Sequence, residues 1–177
     1  MQPRVIYISG GERSGKSRYA QDLALQLSPN PVYLATARKW DSDFEKRIAR
    51  HQAERDARWT NVEEEKFIST LALQHRVVVM DCVTLWLTNI FADTKSNVDD
   101  ALTFAKEELT KAFAAPCTWI IISNEIGMGV HAASEVGRKF VELQGWTNQF
   151  IAHHAHQAYF MVSGIPLLLK TSTPDAS

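Results

Sequence analysis

The residues best suited to chemistry lie near the start of the chain, in a glycine-rich segment that follows an apolar run over 5–9. The segment has the spacing G-x-x-x-x-G-K-[ST], and a pattern of helical period follows it. Glycine lets backbone N–H groups curl around phosphates, while Lys16 would neutralise the β- and γ-phosphate oxygens and the Ser17 hydroxyl would ligate Mg²⁺. A plain glycine turn is the alternative. We predict a loop that binds a nucleoside triphosphate through Gly10, Gly11, Glu12, Arg13, Ser14, Gly15, Lys16 and Ser17.

A carboxylate that could complete the metal site follows the apolar run 77–80. This residue, Asp81, would lie at the end of a buried strand. In folds with a phosphate loop, a carboxylate at the end of a neighbouring strand holds Mg²⁺ together with the loop hydroxyl. An aspartate at the end of a strand is also a common turn residue. With the phosphate loop upstream, we predict that Ser17 and Asp81 hold the metal.

A second chemically active set has helical spacing. Arg47, His51 and Arg55 stand at i, i+4 and i+8, and the capping pattern before them predicts a helix over about 41–55. One interpretation is a solvated basic face with a partly buried histidine. The other is a nucleophile, because a neutral imidazole can attack phosphorus and neighbouring cations would lower its pKa and neutralise the phosphate. This second interpretation predicts a covalent phosphoramidate on His51.

The elements that would position these residues alternate between short apolar or β-branched runs and longer stretches of helical period. This alternation is typical of repeated βα units around a parallel sheet. We therefore predict an α/β fold of the P-loop NTPase-like (RecA-like) type, with a mostly parallel sheet flanked by helices. The predicted strands are 5–9, 32–36, 77–80, 119–122, 159–162 and 167–170, and the predicted helices follow the phosphate loop or cover about 41–55, 84–91, 102–113 and 134–155.

Composition limits the class of protein. The 177 residues are 45% apolar with a formal net charge of -1, which suits one sizeable core, so we expect a single domain over 1–177. Without a long block of Lys and Arg, no nucleic-acid partner is expected. We expect no membrane span, because no apolar run approaches roughly 20 residues. We expect no secretory signal, because the first residues lead into a short apolar run and the glycine loop, without the longer apolar stretch and cleavage site of a signal. Cys82 and Cys117 lack a metal or redox spacing. Together these features predict a cytoplasmic protein.

Taken together, the motifs resemble the bifunctional adenosylcobinamide kinase/adenosylcobinamide-phosphate guanylyltransferase family of cobalamin nucleotide-loop assembly. The resemblance extends over nearly the whole chain. It rests on the loop 10–18, Tyr-Leu-Ala-Thr-Ala at 33–37, Arg47-Ile48 with His51 and Arg55, Trp59-Thr60 with Glu63, Asp81 with Leu85-Trp86-Leu87-Thr88-Asn89, Asn-Glu-Ile-Gly-Met-Gly at 124–129, Gly145 with Asn148-Gln149, and Val-Ser-Gly-Ile-Pro at 162–166.

The resemblance implies two reactions. ATP or GTP would phosphorylate the hydroxyl of adenosylcobinamide, and GMP would then pass from GTP to the phosphate by way of a GMP-histidine intermediate. It also implies a homotrimer, with His51 as the nucleophile and Lys16 and Asp81 as catalytic partners. The residues that would line the nucleotide site beyond the phosphate loop are Ala35, Thr36, Ala37, Gln52, Ala53, Glu54, Arg55, Glu63 and Asp81.

The sequence departs from the family pattern in places. The segment 130–133 lacks the usual turn with proline and asparagine, which falls on the outer wall of the substrate site, and Gln157 replaces a common acid. Glu63 can also be read as one solvated acid in a charge run. His153, His154 and His156 could suggest a metal, but their spacing on a long helix favours a polar face.

Two other functions stay open on the residues alone. A simple small-molecule kinase would transfer only the γ-phosphate and form no protein adduct. A GTP-dependent regulatory module is a different class, although the chain lacks the Asn-Lys-x-Asp signature by which regulatory GTPases read guanine. No side chain stands out as a base for the acceptor hydroxyl. Positioning and charge neutralisation are the usual means of phosphoryl transfer.

Overall fold

The computed structural model describes residues 2–38 and 56–171. Within these residues the chain forms seven strands and four helices, numbered here in chain order, and a short 3-10 turn. The elements are β1 (Arg4–Gly10), α1 (Lys16–Leu27), β2 (Val32–Ala35), β3 (Thr60–Glu63), the 3-10 turn Ile68–Thr70, β4 (Val77–Asp81), α2 (Val83–Asp93), α3 (Val98–Ala114), β5 (Thr118–Asn124), α4 (Glu135–His154), β6 (Gln157–Val162) and β7 (Ile165–Thr171).

All seven strands belong to one sheet, in the order β3-β2-β4-β5-β1-β6-β7. Every neighbouring pair is parallel except β6 and β7, which form an antiparallel hairpin. One strand, β5, lies between β1 and β4, as in RecA-like P-loop proteins. This sheet confirms the predicted fold class, and it brings the carboxyl ends of six strands to one edge.

Side chains from both faces of the sheet are buried, which explains the nearly continuous apolar runs of the central strands. On β1, Val5 and Tyr7 pack into one apolar cluster with α2, α3 and α4. Ile6 and Ile8 point to the opposite face, where α1 covers them. The sheet is therefore the middle layer of three, and β1 runs through the centre of the core.

The sequence prediction missed one strand. Strand β3 has only four residues, lies at the edge of the sheet, and buries none of its side chains fully. The sequence Thr-Asn-Val-Glu therefore carries no apolar alternation that would reveal a strand. The other predicted elements in the described residues are observed within a few residues of their predicted ends. The predicted helix over about 41–55 lies outside the described residues.

Several polar residues singled out in the sequence have partners within the fold. Gln157 accepts a hydrogen bond from Arg4 at 2.9 Å, and Nδ1 of His156 accepts one from the amide of Val5 at 3.1 Å. Both Cys82 and Cys117 are buried free thiols, and burial raises the pKa of each to about 12. The thiols are therefore protonated core residues near neutral pH.

No described helix is both long and apolar enough to span a membrane.

Leu109 on α3 is fully buried, whereas Leu27 at the end of α1 is 40% exposed. We expect Leu109→Ala to lower the free energy of unfolding by about 2–5 kcal/mol, because the lost methyl groups leave a cavity that the packed core cannot close. Leu27→Ala should cost less than about 1 kcal/mol and serves as the control. Urea denaturation at one fixed protein concentration measures both values, and equal losses would contradict the packing described for this core.

Candidate active site

The phosphate loop connects β1 to α1 and requires glycine at two positions. Gly10 has a φ of 154°, and a Cβ atom there would lie 2.6 Å from the carbonyl oxygen of Met161. Gly15 has a φ of 95°, and a Cβ atom there would lie 3.1 Å from Cα of Gly164. Both contacts are with the β6–β7 hairpin. At Gly10 the hairpin therefore leaves no room for a side chain, and at Gly15 the close contact and the positive φ both favour glycine.

The β6–β7 turn supports the loop from behind. Ser163 and Gly164 both have positive φ values, 52° and 83°, as a two-residue turn in a twisted hairpin requires. The amide of Gly164 donates a hydrogen bond of 2.9 Å to the carbonyl oxygen of Ser14. The sequence analysis used the Val-Ser-Gly-Ile-Pro segment only as a family resemblance. In the structure this segment braces the phosphate loop.

Lys16 is the first residue of α1 and is only 7% exposed. Its ammonium group donates hydrogen bonds to the carbonyl oxygen of Gly11 at 2.5 Å and to Oγ of Ser14 at 3.5 Å. Burial lowers the pKa of Lys16, although the nearby carboxylates of Asp81 and Glu12 act in the opposite direction. A partly desolvated cation held over the loop is suited to neutralising a bound phosphate.

Asp81 lies at the end of β4 and faces the loop. Its Oδ2 accepts hydrogen bonds from Oγ of Ser17 at 2.9 Å and from the hydroxyl of Tyr33 at 2.6 Å. The structure therefore brings together the two predicted metal ligands. A hydroxyl beside a carboxylate is a set of hard oxygen donors that suits Mg²⁺.

The sequence analysis did not identify Tyr33 as a site residue. Tyr33 lies on β2, two residues before Ala35, and Ala35 is paired with Asp81. Residues two apart on a strand share a face, so the long phenol side chain reaches Asp81 diagonally across the sheet. Identifying Tyr33 required knowledge that β2 pairs with β4, which the local pattern does not contain.

The segment after β2 was predicted to line the nucleotide site. Thr36 is fully buried, and its Oγ1 donates a hydrogen bond of 2.8 Å to the carbonyl oxygen of Cys82. Ala35 and Ala37 on either side are partly exposed at the carboxyl edge of the sheet. The predicted segment is thus placed beside the loop, but the Thr36 side chain is directed into the protein.

The run Glu63-Glu64-Glu65 follows the same edge, and its members have different surroundings. Glu63 ends β3 and is paired in register with Ala35. Glu64 accepts hydrogen bonds of 2.8 Å from the amides of Lys66 and Phe67, so it caps a turn. Glu65 forms an ion pair with Arg38 at 2.6 Å. The three acids are therefore not one uniform solvated face.

Two clefts open on this edge of the sheet. The first, about 600 Å³, is lined by Ala37, Arg38, the three glutamates 63–65, Lys66 and Phe67. The second, about 430 Å³, lies on the other side of the loop and is lined by Gly11, Glu12, Arg13, Ser14, Glu125, Met128 and residues 160–163. Glu12 and Arg13 are exposed, whereas Met128 offers an apolar surface that is 78% exposed.

The structure brings some of the predicted site residues together and leaves others untested. The phosphate loop and Asp81 form one cluster, and Ala35, Ala37 and Glu63 lie at the same edge of the sheet. His51, Gln52, Ala53, Glu54 and Arg55 lie outside the described residues. The departure at 130–133 borders a separate small cavity of about 250 Å³ with Ile126, Arg138 and Glu142.

The sheet order, the glycine loop and the Ser17–Asp81 pair define an α/β protein of the P-loop NTPase-like class. The family model described as cobinamide kinase / cobinamide phosphate guanyltransferase matches residues 6–169. The chain belongs to this family.

Two relatives match over nearly their whole length. The bifunctional adenosylcobalamin biosynthesis protein CobP of Pseudomonas aeruginosa is 38% identical over 169 residues, which cover 92% of this chain and 95% of the relative. The bifunctional adenosylcobalamin biosynthesis protein CobU of Escherichia coli is 32% identical, over 94% of this chain and 99% of the relative. Among solved structures, PH0250 from Pyrococcus horikoshii OT3 is similar in fold alone. It has a TM-score of 0.54 at 10% identity and covers 97% of this chain and 87% of that one.

Because burial lowers the pKa of Lys16, removing its charge should affect both the thermal stability of the chain and its binding of nucleotide. Lys16→Met keeps the apolar stem and removes the charge that burial disfavours. We expect the ligand-free variant to unfold at a higher temperature than the wild type, and to lose the thermal stabilisation that GTP with Mg²⁺ gives. Thermal unfolding with and without nucleotide measures both effects.

The sign of the pH dependence follows from the same shift. Lys16 loses its proton at a lower pH in the folded chain than its ordinary value of 10.5, so the cost of burying the charge shrinks as pH rises toward that value. The advantage of Lys16→Met should therefore narrow in alkaline buffer. Lys139→Met, at a half-exposed surface lysine, is the matched control and should show no such trend. A lower melting temperature for Lys16→Met would mean that the bonds to Gly11 and Ser14 outweigh desolvation.

Proposed function

We propose that this chain is a bifunctional enzyme of cobalamin nucleotide-loop assembly, with a single catalytic domain over 1–177. It phosphorylates adenosylcobinamide with ATP or GTP and then transfers GMP from GTP to the product, giving adenosylcobinamide-GDP and pyrophosphate. The observation that carries the proposal is the glycine loop with Ser17 held against Asp81, in a chain that matches the family over almost its full length.

The loop would hold the β- and γ-phosphates of either nucleotide. Backbone N–H groups at the amino end of α1 and the ammonium group of Lys16 supply positive charge there. Ser17 and Asp81 would hold Mg²⁺, whose role would be to neutralise charge on the phosphate oxygens. Tyr33 would keep the Asp81 carboxylate oriented through its 2.6 Å hydrogen bond.

For the kinase reaction, the hydroxyl oxygen of adenosylcobinamide forms a bond to the γ-phosphorus. The bond from that phosphorus to the bridging oxygen of the β-phosphate breaks, and the nucleoside diphosphate leaves. The cleft of about 430 Å³ beside the loop supports this step, because its apolar Met128 and Phe160 suit a large organic acceptor next to the phosphates. The proton of the hydroxyl passes to solvent or to a phosphate oxygen.

For the guanylyl transfer, a neutral imidazole nitrogen of His51 attacks the α-phosphorus of GTP. The nitrogen–phosphorus bond forms as the bond to the β-phosphate oxygen breaks, and pyrophosphate leaves from the phosphate loop. A phosphate oxygen of adenosylcobinamide phosphate then attacks the same phosphorus and frees the imidazole. Arg47 and Arg55 at helical spacing around His51 support this role, because cations there would offset the phosphate charge.

The nucleotide site would be completed by Ala35, Thr36, Ala37, Gln52, Ala53, Glu54, Arg55 and Glu63. The register that pairs Ala35 with both Glu63 and Asp81 supports this assignment for the described members. We propose the corrinoid as the substrate and no nucleic acid as a partner. The proposed location is the cytoplasm. The apolar side chains that β7 exposes support self-association as a homotrimer, since exposed patches of this kind are commonly covered in assemblies.

A guanylylated histidine is the decisive test of the proposed function. Incubation with GTP labelled at the α-phosphate should give an acid-labile protein adduct, and His51→Ala should abolish it. His153→Ala, at an exposed histidine on α4, is the control and should label like the wild type. Label carried only from the γ-phosphate to cobinamide, with no adduct, would indicate a simple kinase instead. Nucleotide turnover that ignores cobinamide would indicate a regulatory module.

The proposed assembly is tested by mass in solution. The chain has a mass of 20.0 kDa, so a homotrimer should sediment as a species of about three times that mass. Analytical ultracentrifugation over a range of protein concentrations measures this directly. A species of monomer mass at micromolar concentration would contradict the trimer. The proposed reactions would still be tested separately by the guanylylated histidine.

A further inference from the structure

Helix α2 contacts both segments that leave the sheet beside the phosphate loop. Three of its side chains, Trp86, Asn89 and Asp93, are spaced i, i+3 and i+7 and so share one face of the helix. Each of them bonds to the chain just after β2 or just after β3. These are the segments that follow Ala35 and Glu63, so one helix supports two walls of the proposed nucleotide site.

Asn89 is the only one of the three that joins the two segments through backbone atoms of both. Its Nδ2 group donates a hydrogen bond of 2.7 Å to the carbonyl oxygen of Thr36 and another of 3.1 Å to the carbonyl oxygen of Glu65. Two carbonyl acceptors fix the orientation of the amide, because only the NH₂ group can donate to them. Strands β2 and β3 are themselves joined as far as Ala35 by their register and by the bond from the Glu64 amide to the Ala35 carbonyl oxygen at 3.1 Å. Asn89 links the two segments one residue beyond that point on each side.

Burial of the Asn89 amide carries a free-energy penalty. The residue is 0% exposed, and its Oδ1 has no hydrogen-bond partner among the described residues. A buried acceptor without a partner is unfavourable, and an apolar side chain of similar size would avoid that penalty. The two donated hydrogen bonds are what an apolar residue could not replace. The two donated hydrogen bonds therefore indicate that Asn89 serves to position the two carbonyl groups, despite the penalty of its unpartnered oxygen.

The neighbours of Asn89 on α2 reinforce the same placement. Trp86 donates from Nε1 to the carbonyl oxygen of Lys66 at 3.0 Å. Asp93 accepts from Arg38 at 3.0 Å and from Lys66 at 2.6 Å, and these hydrogen bonds hold the pKa of Asp93 well below its usual range. Both of those ion pairs are partly exposed, whereas the Asn89 amide is fully enclosed. Of the α2 side chains that reach both segments, Asn89 is therefore the one least screened by solvent.

The phosphate loop is held by other contacts. Its described hydrogen bonds to other parts of the chain reach Gly164, Glu125 and Asp81, and none of them reaches Asn89. A change at Asn89 should therefore move the walls that follow β2 and β3 while the phosphate loop keeps its shape. The two ends of a bound triphosphate can be probed separately.

We propose that Asn89 is a positioning residue for the nucleoside end of the triphosphate. By joining Thr36 and Glu65 beyond the last β2–β3 contact, it holds the segment Thr36–Ala37 and the segment Glu64–Glu65 at a fixed spacing, and so sets the fit of the ribose and base beside them. This inference rests on the proposed function, in which those residues line the nucleotide site. Asn89 would not contact the nucleotide itself. It would act by holding the backbone carbonyl groups of Thr36 and Glu65 in place.

The test compares two ligands that share their phosphates. GTP with Mg²⁺ would engage both ends of the site, whereas inorganic tripolyphosphate with Mg²⁺ would engage only the phosphate loop and the metal ligands Ser17 and Asp81. For Asn89→Leu, which has a similar branched shape and lacks both donors, we expect the affinity for GTP to fall about tenfold, because the displaced walls no longer fit the ribose and base. The affinity for tripolyphosphate should stay within about twofold of the wild type. Titration calorimetry on the full chain measures both.

Glu108→Ala is a matched control. Glu108 is 4% exposed and accepts hydrogen bonds from the amide and hydroxyl of Ser69 at 3.1 and 3.0 Å, so its loss also breaks a buried polar tether, away from α2. At a similar loss of melting temperature, this variant should bind both ligands like the wild type. Asn89→Ser is measured in parallel, so that a folded variant exists if the leucine is not tolerated, and it should lose GTP affinity several-fold.

The outcomes separate this inference from the proposed function. Unchanged GTP affinity in the Asn89 variants, or an equal loss for both ligands, would overturn the positioning role. An equal effect of Glu108→Ala on GTP would reduce the result to general instability and overturn it as well. Binding needs no turnover, so a wild type that binds GTP but forms no guanylylated histidine would contradict the proposed reaction and leave the role of Asn89 standing on its own measurement.

Discussion

The parallel register of the sheet is the constraint on which the rest of the site depends. Because β1 pairs in parallel with β5 and β6, and β2 with β3 and β4, the chain leaves six strands at the same edge. Glu63, Ala35 and Asp81 are far apart in sequence but end three adjacent strands there, and Gly10 ends β1, two strands beyond Asp81. Ligands of open α/β sheets bind at this edge, where loops can vary without disturbing the core.

The register also explains why the loop needs its glycines. Strand β6 runs alongside β1, so its last residues and the turn after it come directly behind the phosphate loop. Met161 lies too close to Gly10 for a Cβ atom, and Gly164 lies so close to Gly15 that a Cβ atom there would be crowded. The bond from Gly164 to Ser14 holds the loop backbone in place, which would reduce the ordering that ligand binding requires.

The sequence revealed what is local and missed what depends on distant neighbours. The phosphate loop is specified by eight consecutive residues, and Asp81 by the apolar run before it, so both were predictable. Tyr33 and Asn89 belong to segments that carry the family resemblance, but the sequence does not show their roles, because these arise only once β2, β3 and α2 are packed together. Strand β3 was missed for a related reason: its stability comes from pairing with β2 and not from an apolar pattern.

Two separate supports for one site fit the two reactions proposed for this chain. The phosphate loop is braced by the β6–β7 hairpin, and the opposite walls are tied to α2 through Asn89, Trp86 and Asp93. In the kinase reaction the attacked phosphorus is the γ atom, whereas guanylyl transfer requires attack at the α atom. A fixed grip on the terminal phosphates serves both, but the second reaction also needs the ribose end held so that the α-phosphorus faces the histidine. The support from α2 is therefore expected to matter most for guanylyl transfer.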